Sequence, residues 1–355
     1  MTAFNASSLA RQDLKNLKPY EPVVLPGVIR MDANESPFDF PKEINDYIYR
    51  NMHPQSFNRY PDPMAQDLRA ALADYTGAPV ECILVGNGSD EIILNLALTF
   101  ATGGNVLIPS PTFSMYEVHS LVAGAHAKFI PRNHDFSLNL DQMIREAKIG
   151  DTRLIFVCSP NNPTANEATW GELESLLQNT SALVIVDEAY VEFGGQSCLP
   201  LMDKYTNLAV MRSFSKSFGL AGLRVGYLIA HPTVIDQMSR VKQPFNINSF
   251  SQKAALAVLE HLPLFKELIA DMVYKRDYLW KQMNNMREIE VLETITNFIT
   301  FKTALSAEEI HQQLIKQGVL IRNISGPGLE NYLRVSVGTD DENKTFLESL
   351  LNVVG

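Results

Sequence analysis

The stretch NLAVMRSFSKSFGLAGLRVG, from Asn207 to Gly226, predicts the fold class of the chain. It begins with an apolar run, Leu208 to Met211, which predicts a buried strand. A short loop rich in hydroxyls and glycine follows and carries one lysine, Lys216, before Arg224 leads into a second apolar run. A buried strand that ends in such a loop is typical of an open α/β sheet, in which ligands bind outside the carboxyl ends of the strands.

The residues of this loop also indicate a reactive lysine. Partial desolvation at the end of a buried strand would lower the pKa of Lys216 and make its amine nucleophilic. The hydroxyls of Ser213, Ser215 and Ser217 flank the lysine, and Arg224 adds a cation that stays protonated. This combination suits a ligand with both a phosphate and a carbonyl carbon, which describes pyridoxal 5′-phosphate (PLP) held as a Schiff base. A solvated lysine in a polar surface loop is the structural alternative.

Length and composition indicate a globular protein, and 355 residues are enough for two domains. Apolar residues make up 46% of the chain and charged residues 20%, which argues against long disorder. Short apolar runs and an N-terminus without a signal-peptide core predict a cytoplasmic protein that does not enter a membrane. Three widely spaced cysteines favour neither a disulfide framework nor a metal site. The formal net charge of −10 disfavours nucleic acid as a partner.

The pattern of strands and helices divides the chain into three parts. Residues 1–40 contain proline-punctuated polar segments and are expected to form an N-terminal arm. Residues 41–245 alternate short apolar strands with helices, which predicts a large α/β domain with a mostly parallel sheet covered by helices on both faces. Residues 246–355 predict a smaller C-terminal α+β domain. Strands of the large sheet are expected at Cys82–Val85, Val106–Pro109, Lys128–Pro131, Leu154–Cys158, Leu183–Val186, Leu208–Met211 and Val225–Ala230.

The segment GNGSDE follows the first of these strands and opens a helix. Ser89 and the acidic residues after it are expected to cap that helix, and a phosphate could rest on its N-terminus. The segment also resembles the glycine-rich loop of dinucleotide-binding proteins. Glu91 stands where the third glycine of that fingerprint belongs, so a dinucleotide site is only weakly supported.

Two more polar segments follow strands, SPNNPTA and DEAY. Asn162 precedes a proline and can point its side-chain amide into the cleft. A carboxylate at a buried strand end, such as Asp187, needs a cationic partner, and the protonated nitrogen of a pyridine ring would be one. Tyr190 and Asn162 could hydrogen-bond the phenolic oxygen of that ring. Each residue also has a purely structural alternative: Asn162 could be a turn residue, Asp187 a helix cap and Tyr190 a core tyrosine.

A rival chemistry for the lysine segment is acyl transfer by a serine. Ser213 and Lys216 fit the Ser-x-x-Lys motif of penicillin-binding enzymes. That motif needs Ser-Asp-Asn and Lys-Thr-Gly as companions, and the chain offers only SDE at Ser89 and KTA at Lys302. The alternative interpretation of the whole sheet is a nucleotide-binding module that does not catalyse a reaction.

The order GNGSDE, PTFSMY, SPNNPTA, DEAYVEF, SFSKSFGLAGLRVG and YLRVSVG resembles the fold type I aminotransferases, and most closely the histidinol-phosphate aminotransferases. The resemblance extends over nearly the whole chain. It implies a PLP-dependent enzyme of histidine biosynthesis that converts L-histidinol phosphate and 2-oxoglutarate into imidazole acetol phosphate and L-glutamate. It also implies a homodimer with shared active sites, in which the N-terminal arm packs on the small domain and on the partner subunit.

The resemblance also implies roles for individual residues. Lys216 would bind the cofactor as a Schiff base, and Asp187 would hold the pyridine nitrogen. The other residues implied in cofactor binding are Gly88, Ser89, Asp90, Phe113, Asn162, Tyr190, Ser213, Ser215, Arg224 and, from the neighbouring subunit, Tyr60. Those implied in substrate binding are Tyr20, Asn34, Asn162, Arg322 and Arg334, with Tyr20 and Arg322 on the substrate phosphate and Arg334 on a carboxylate.

Two positions depart from the family pattern. Ala165 stands where the family usually has glycine, which puts the local turn geometry in question. Phe113 stands where tyrosine is common, so the ring face is kept and a hydroxyl is lost. Relatives that transaminate aromatic amino acids or decarboxylate threonine phosphate share much of the same pattern, and both remain alternatives.

Overall fold

The structure, a computed structural model, describes residues 4–15, 17–19, 21, 25–52 and 58–355. Tyr20, expected to contact the substrate phosphate, lies outside the described residues. Across the described ranges, no helix is long and apolar enough to cross a membrane.

The described part of the chain forms eleven α-helices. They are α1 Lys42–Met52, α2 Gln66–Thr76, α3 Gly88–Leu96, α4 Met115–Val122, α5 Leu140–Lys148, α6 Trp170–Gln178, α7 Pro232–Val241, α8 Ser249–Glu260, α9 Leu262–Asn284, α10 Ala307–Lys316 and α11 Asp340–Val354.

Thirteen strands are present in the same ranges. They are β1 Ile29–Arg30, β2 Ile83–Gly86, β3 Asn105–Ser110, β4 His126–Pro131, β5 Thr152–Cys158, β6 Leu183–Asp187, β7 Leu208–Ser213, β8 Gly226–Ala230, β9 Ile289–Val291, β10 Phe298–Thr303, β11 Val319–Leu320, β12 Arg322–Asn323 and β13 Tyr332–Ser336.

A seven-stranded sheet has the order β2-β8-β7-β6-β5-β3-β4 within the described ranges. All neighbouring pairs from β4 to β7 are parallel, and β8 alone runs antiparallel to both β7 and β2. The mostly parallel sheet expected from the sequence is therefore confirmed. Each expected strand is present within two residues of its expected bounds, because most of these apolar runs are segments buried on both faces. The edge strand β4 is the exception, since most of its residues are exposed or half-buried.

Both faces of this sheet are covered by helices whose apolar residues meet the strands. Side chains of α3, α4 and α7 pack on one face around Ile92, Tyr116 and Met238. On the other face, α5 and α6 cover the centre, and α1, α2 and α8 cover the β2-β8 edge. This layering leaves the ends of the strands, not their faces, open to a ligand.

A second, four-stranded antiparallel sheet has the order β12-β13-β10-β9. One face packs against α9, α10 and α11 through residues such as Ile299, Leu333 and Phe346. The 23 residues of α9 belong to two hydrophobic cores, since Phe265 lies in the core beneath β2 and β8 while Leu279 lies in that of the second sheet. The helix α8, which the sequence assigns to the second domain, packs against α1 and α2 of the first.

The N-terminal arm contacts both sheets. β1 pairs in parallel with β11 beside the second sheet, with Ile29 opposite Val319. Further toward the N-terminus, Arg11 donates hydrogen bonds to the carbonyls of Val122 at 2.7 Å and Leu121 at 3.1 Å. These carbonyls end α4, where a cation is favourable because the last carbonyls of a helix lack partners within it.

An ion pair is buried at the end of β7. The guanidinium of Arg212 donates to Glu188 Oε2 at 2.8 and 2.9 Å, and the two side chains are 8% and 1% exposed. Glu188 also accepts from Ser197 Oγ and from the backbone N–H of Cys198. The pair joins β7 to the segment after β6, next to both Asp187 and the lysine loop.

We expect Arg212→Met to lower the free energy of unfolding by roughly 3–5 kcal/mol, because it leaves the Glu188 carboxylate buried without its cation. Urea unfolding followed by circular dichroism measures this. Arg153→Met is the matched control, since that arginine pairs with Asp151 at the surface and its loss should change the midpoint little. The double variant Arg212→Met with Glu188→Leu should regain most of the loss. An Arg212→Met midpoint equal to that of the control would contradict the expectation.

Candidate active site

Three parallel strands bring the main polar groups to one edge of the large sheet. β5, β6 and β7 are neighbours, and Cys158 is in register with Asp187, which is in register with Met211. Asp187 ends β6, Ser213 ends β7, and Asn162 follows β5 by four residues. Because parallel strands present their carboxyl ends on the same side, the segments that the sequence singled out converge there.

The amine of Lys216 points toward the arm, and its Nζ donates to the backbone oxygen of Ala33 at 3.1 Å. Desolvation lowers the pKa of Lys216 to about 8, and the positive charges of Arg334 and Arg224 act in the same direction. A substantial fraction of the amine is therefore neutral near physiological pH, as a nucleophile or proton acceptor requires.

The carboxylate of Asp187 is 3% exposed, and burial raises its pKa to about 6. Two donors oppose this effect: Tyr116 Oη donates to Oδ2 at 2.7 Å, and the Ala189 N–H donates to Oδ1 at 3.1 Å. Above about pH 6 the site therefore contains a buried negative charge, which favours a cationic partner in the ligand.

Tyr190 and Asn162 are both oriented as donors. The hydroxyl of Tyr190 accepts from Asn34 Nδ2 at 3.0 Å, which leaves its own O–H to donate. Burial raises the pKa of Tyr190, so this proton is retained at neutral pH. The amide oxygen of Asn162 accepts from Arg334 Nη1 at 2.6 Å, so its NH₂ group is the end that can donate to a ligand.

A cradle lies between the start of α3 and the lysine loop. α3 begins at Gly88, whose φ of 78° suits glycine, and a Cβ there would lie 2.6 Å from Arg224 Nη2. A Cβ on Gly226 would lie 2.7 Å from the Ser89 nitrogen. Arg224 Nη2 donates to Asp90 Oδ2 at 3.1 Å and is thereby held at the helix N-terminus. Backbone N–H groups beside a fixed guanidinium suit a phosphate, so these residues fit the phosphate of PLP.

The lysine loop supplies the hydroxyls of this cradle. Ser213 and Ser215 are buried, and the N–H of Ser215 donates to Ser213 Oγ at 3.1 Å. Ser217 is directed elsewhere, because its hydroxyl donates to the buried carboxylate of Glu192 at 3.1 Å. Ser217 thus anchors the loop, and Ser213 and Ser215 are the two hydroxyls expected to contact an anion.

Two arginines lie directly opposite each other on the second sheet. Arg322 of β12 is in register with Arg334 of β13, so both side chains belong to the same face. Arg334 also donates to the backbone oxygen of Asp32 at 2.8 Å, and its guanidinium lies 5.2 Å from the centre of the Phe298 ring. Two like charges directly opposite each other on neighbouring strands destabilise a sheet, and an anionic ligand between the two arginines would offset their repulsion.

The arm connects these groups. Ala33 accepts from Lys216, Asn34 donates to Tyr190, and the N–H of Asn34 donates to Ser336 Oγ at 2.8 Å. Asn34 has φ 53° and is buried, so its backbone conformation is one that asparagine tolerates better than most residues. The substrate role expected for Asn34 stays a prediction; in the structure Asn34 joins Tyr190, which follows β6, to the second sheet.

The remaining expected residues are placed as follows. Phe113 is half-buried at the edge of the site, with its ring 5.5 Å from that of Tyr116. Tyr60 is 81% exposed and stacks on Phe245 with 4.4 Å between ring centres, so a single chain leaves most of it open. Ala165 adopts φ 63°, so the turn keeps the left-handed conformation for which glycine is usual.

Sequence reasoning missed two parts of the site. Tyr116 was quoted within PTFSMY without a role, although a buried carboxylate such as Asp187 requires hydrogen-bond donors. The backbone of Asp32 and Ala33 was also missed, because its contacts join residues about 180 to 300 positions apart and leave no local pattern.

Comparison with known proteins agrees with this geometry. Residues 26–350 match the family model for aminotransferase class I and II. The chain is 37% identical over 349 residues to histidinol-phosphate aminotransferase from Caldanaerobacter subterraneus subsp. tengcongensis, covering 98% of this chain and 99% of the relative. It is 39% identical over 341 residues to histidinol-phosphate aminotransferase 1 from Carboxydothermus hydrogenoformans, covering 96% and 97%.

Solved structures show the same fold. Histidinol-phosphate aminotransferase from Sinorhizobium meliloti, in complex with pyridoxal-5′-phosphate, superposes with a TM-score of 0.88 at 23% identity and covers 99% of this chain and 98% of that one. L-threonine-O-3-phosphate decarboxylase from Porphyromonas gingivalis superposes with a TM-score of 0.79 at 24% identity, covering 92% and 99%.

The chain belongs to the class I and II aminotransferases. The fold type I architecture, the aminotransferase class and the PLP cofactor expected from the sequence are confirmed. The two curated relatives named above are histidinol-phosphate aminotransferases, and each aligns with this chain over nearly the full length of both.

We expect the amine of Lys216 to titrate near pH 8 in the protein without cofactor, because it is desolvated and faces two arginines. Competitive labelling with acetic anhydride over a range of pH, read by peptide mass spectrometry, measures the midpoint. Lys42 is the internal control, since its hydrogen bond to Asp46 raises its pKa above the ordinary lysine value. A midpoint for Lys216 at or above pH 10 would contradict the expected environment.

Proposed function

We propose that this aminotransferase transfers the amino group of L-histidinol phosphate to 2-oxoglutarate, giving imidazole acetol phosphate and L-glutamate. The observation that carries the proposal is the pair Arg322 and Arg334, which lie opposite each other on the neighbouring strands β12 and β13, with Arg334 bonded to Asn162. Both substrates are anions, one with a phosphate and the other with carboxylates, and two guanidinium groups suit both. The full-length relatives support the same reaction.

PLP would supply an electrophilic carbon for the amino group and a ring that withdraws electrons from the substrate carbon. Lys216 would bind that carbon and, once released, take and return the substrate proton at Nζ. With a pKa of about 8, the amine can do both near neutral pH. Asp187, ionised above about pH 6, would keep the ring nitrogen protonated. Phe113 would stack on the ring.

The remaining proposed contacts divide between cofactor and substrate. Tyr190 and Asn162 would donate to the phenolic oxygen, since each has its accepting atom already occupied. The cofactor phosphate would lie in the cradle formed by Gly88, Ser89, Asp90, Ser213, Ser215 and Arg224, where Asp90 acts by holding Arg224. Tyr20, Arg322 and Asn34 would contact the histidinol phosphate, and Arg334 the α-carboxylate of glutamate.

Threonine phosphate is the alternative substrate. It combines an amino group with a phosphate, as histidinol phosphate does, and the decarboxylase that acts on it shares the fold. An α-carboxylate beside the phosphate would engage Arg322 and Arg334 at once. The curated relatives favour histidinol phosphate, which has no carboxylate.

We further propose a homodimer in which Tyr60 serves the cofactor phosphate of the neighbouring subunit, with an arm of residues 1–40, a large domain of residues 41–245 and a small domain of residues 246–355. The exposure of Tyr60 and its stacking on Phe245 support this, because an exposed aromatic pair is typical of a protein interface. A cytoplasmic location is supported by three free cysteines.

We expect Arg322→Ala to reduce kcat/KM for histidinol phosphate by more than about a hundredfold, because a desolvated charge-assisted contact contributes a few kcal/mol. Steady-state kinetics with 2-oxoglutarate measure this. Glutamate should be affected much less, since its α-carboxylate would use Arg334. Arg240→Ala removes an exposed arginine on α7 and serves as the control. Equal losses for histidinol phosphate and glutamate would contradict the phosphate role of Arg322.

Shared sites predict complementation between inactive variants. Tyr60→Ala and Lys216→Ala should each be inactive alone. After subunit exchange, a hybrid dimer would contain one intact site, so a random mixture should recover about a quarter of the wild-type activity. Activity assays before and after exchange, with exchange verified by native mass spectrometry, measure this. Absence of recovery despite verified hybrids would exclude the shared site.

A further inference from the structure

Tyr116 is a buried tyrosine beside the proposed cofactor site. It lies in the first turn of α4, is fully buried, and donates its hydroxyl to Asp187 Oδ2 at 2.7 Å. The bond joins a helix on one face of the large sheet to the last residue of the central strand β6.

The ring of Tyr116 is fixed by two other aromatic rings. It stacks on Phe156 with 4.7 Å between ring centres and 5° between planes. It also meets Phe113 edge to face, at 5.5 Å and 84°. Because its ring is held on both sides, its hydroxyl has a defined direction. The same residue thus contacts Phe113, proposed to stack on the ring of PLP, and Asp187, proposed to hold the nitrogen of that ring.

The other titratable groups around Asp187 do not favour its ionised form. Burial raises the pKa of this carboxyl group, and the negative charges of Asp90 and Glu188 act in the same direction. The thiol of Cys158 and the hydroxyl of Tyr190 also lie near it, and burial raises the pKa of both, so both stay neutral. Tyr116 and the Ala189 N–H are the two hydrogen-bond donors to this carboxylate among the described residues.

We propose that Tyr116 is a positioning residue, which holds the Asp187 carboxylate ionised and correctly turned for the cofactor nitrogen while it also supports Phe113. The inference rests on the proposed role of Asp187. The hydrogen bond from Tyr116 to Asp187 is present before any substrate binds, so its effect can be tested without turnover. A hydroxyl that donates to a carboxylate stabilises the charged form over the neutral one.

The test compares Tyr116→Phe, which keeps the ring and removes the hydroxyl, with the unmodified chain. The readouts are the titration of the Asp187 carboxyl carbon in the apoprotein by ¹³C NMR, assigned with Asp187→Asn, and the dissociation constant of PLP at pH 7. We expect the midpoint to rise by about one pH unit, from about 6 to about 7. PLP should then bind about twofold more weakly at pH 7, since the ionised fraction of Asp187 at that pH falls from about 0.9 to about 0.5.

Tyr205→Phe is the matched control. Tyr205 is also buried and also donates its hydroxyl to a carboxylate, that of Glu174 at 3.1 Å, but it lies in the core beneath α6. Its variant should leave both readouts unchanged. Replacement of Tyr116 by 3-fluorotyrosine keeps the shape and makes the hydroxyl a stronger donor, so the Asp187 midpoint should fall; this measurement applies even where Tyr116→Phe fails to fold.

An unchanged midpoint in both Tyr116 variants would overturn the inference. So would a Tyr116→Phe variant that weakens PLP binding as much in the Asp187→Asn background as in the wild-type one, because the hydroxyl would then act on something other than the carboxylate. If Asp187→Asn itself binds PLP and transaminates normally, the proposed role of Asp187 fails and this inference fails with it. If Asp187→Asn is impaired but Tyr116→Phe is not, only this inference fails.

Discussion

The active site depends on an acidic and a basic group held at the same edge of one sheet. The carboxyl group of Asp187 is buried, and Lys216, which carries the amine, is half-buried. Burial raises the pKa of Asp187 and lowers that of Lys216, so both groups move toward neutral pH. Neither position would be tolerated in a sheet core without donors and acceptors supplied from outside it. Tyr116 supplies the donor for the carboxyl, and the backbone of Ala33 supplies the acceptor for the amine.

The arm supplies the acceptor for Lys216, and pairing beside the second sheet holds the arm in place. Ala33 and Asn34 lie on the segment that follows β1, and this segment is fixed by pairing with β11 and by a bond from Ser336 N–H to the Met31 oxygen at 2.8 Å. Arg334 reaches from the second sheet to Asn162 of the first. The elements proposed to hold substrate groups are therefore the same ones that orient the donors proposed for the cofactor, and one network of hydrogen bonds joins them.

The sequence predicted the large sheet and its polar strand ends well, because strands buried on both faces form uninterrupted apolar runs and the loops that follow them stand out as polar. Between β9 and β10 of the second sheet the chain turns, and the hydroxyls of Thr294 and Thr296 both donate to the Phe298 oxygen. What the sequence could not predict were contacts with no local pattern, such as that of Ala33 with Lys216. The packing of α8 on α1 and α2 likewise depends on which apolar faces meet, which chain order alone does not show.

We infer that the enzyme uses these buried groups to transaminate a phosphate-bearing amino alcohol. The most direct measurement uses the unmodified enzyme reconstituted with PLP and compares histidinol phosphate, phenylalanine and threonine phosphate as amino donors, each at matched concentration with 2-oxoglutarate. Glutamate formation gives kcat/KM for each donor, and released carbon dioxide reports decarboxylation. The account predicts the highest kcat/KM for histidinol phosphate. A higher value for phenylalanine, or carbon dioxide from threonine phosphate, would contradict the proposed substrate.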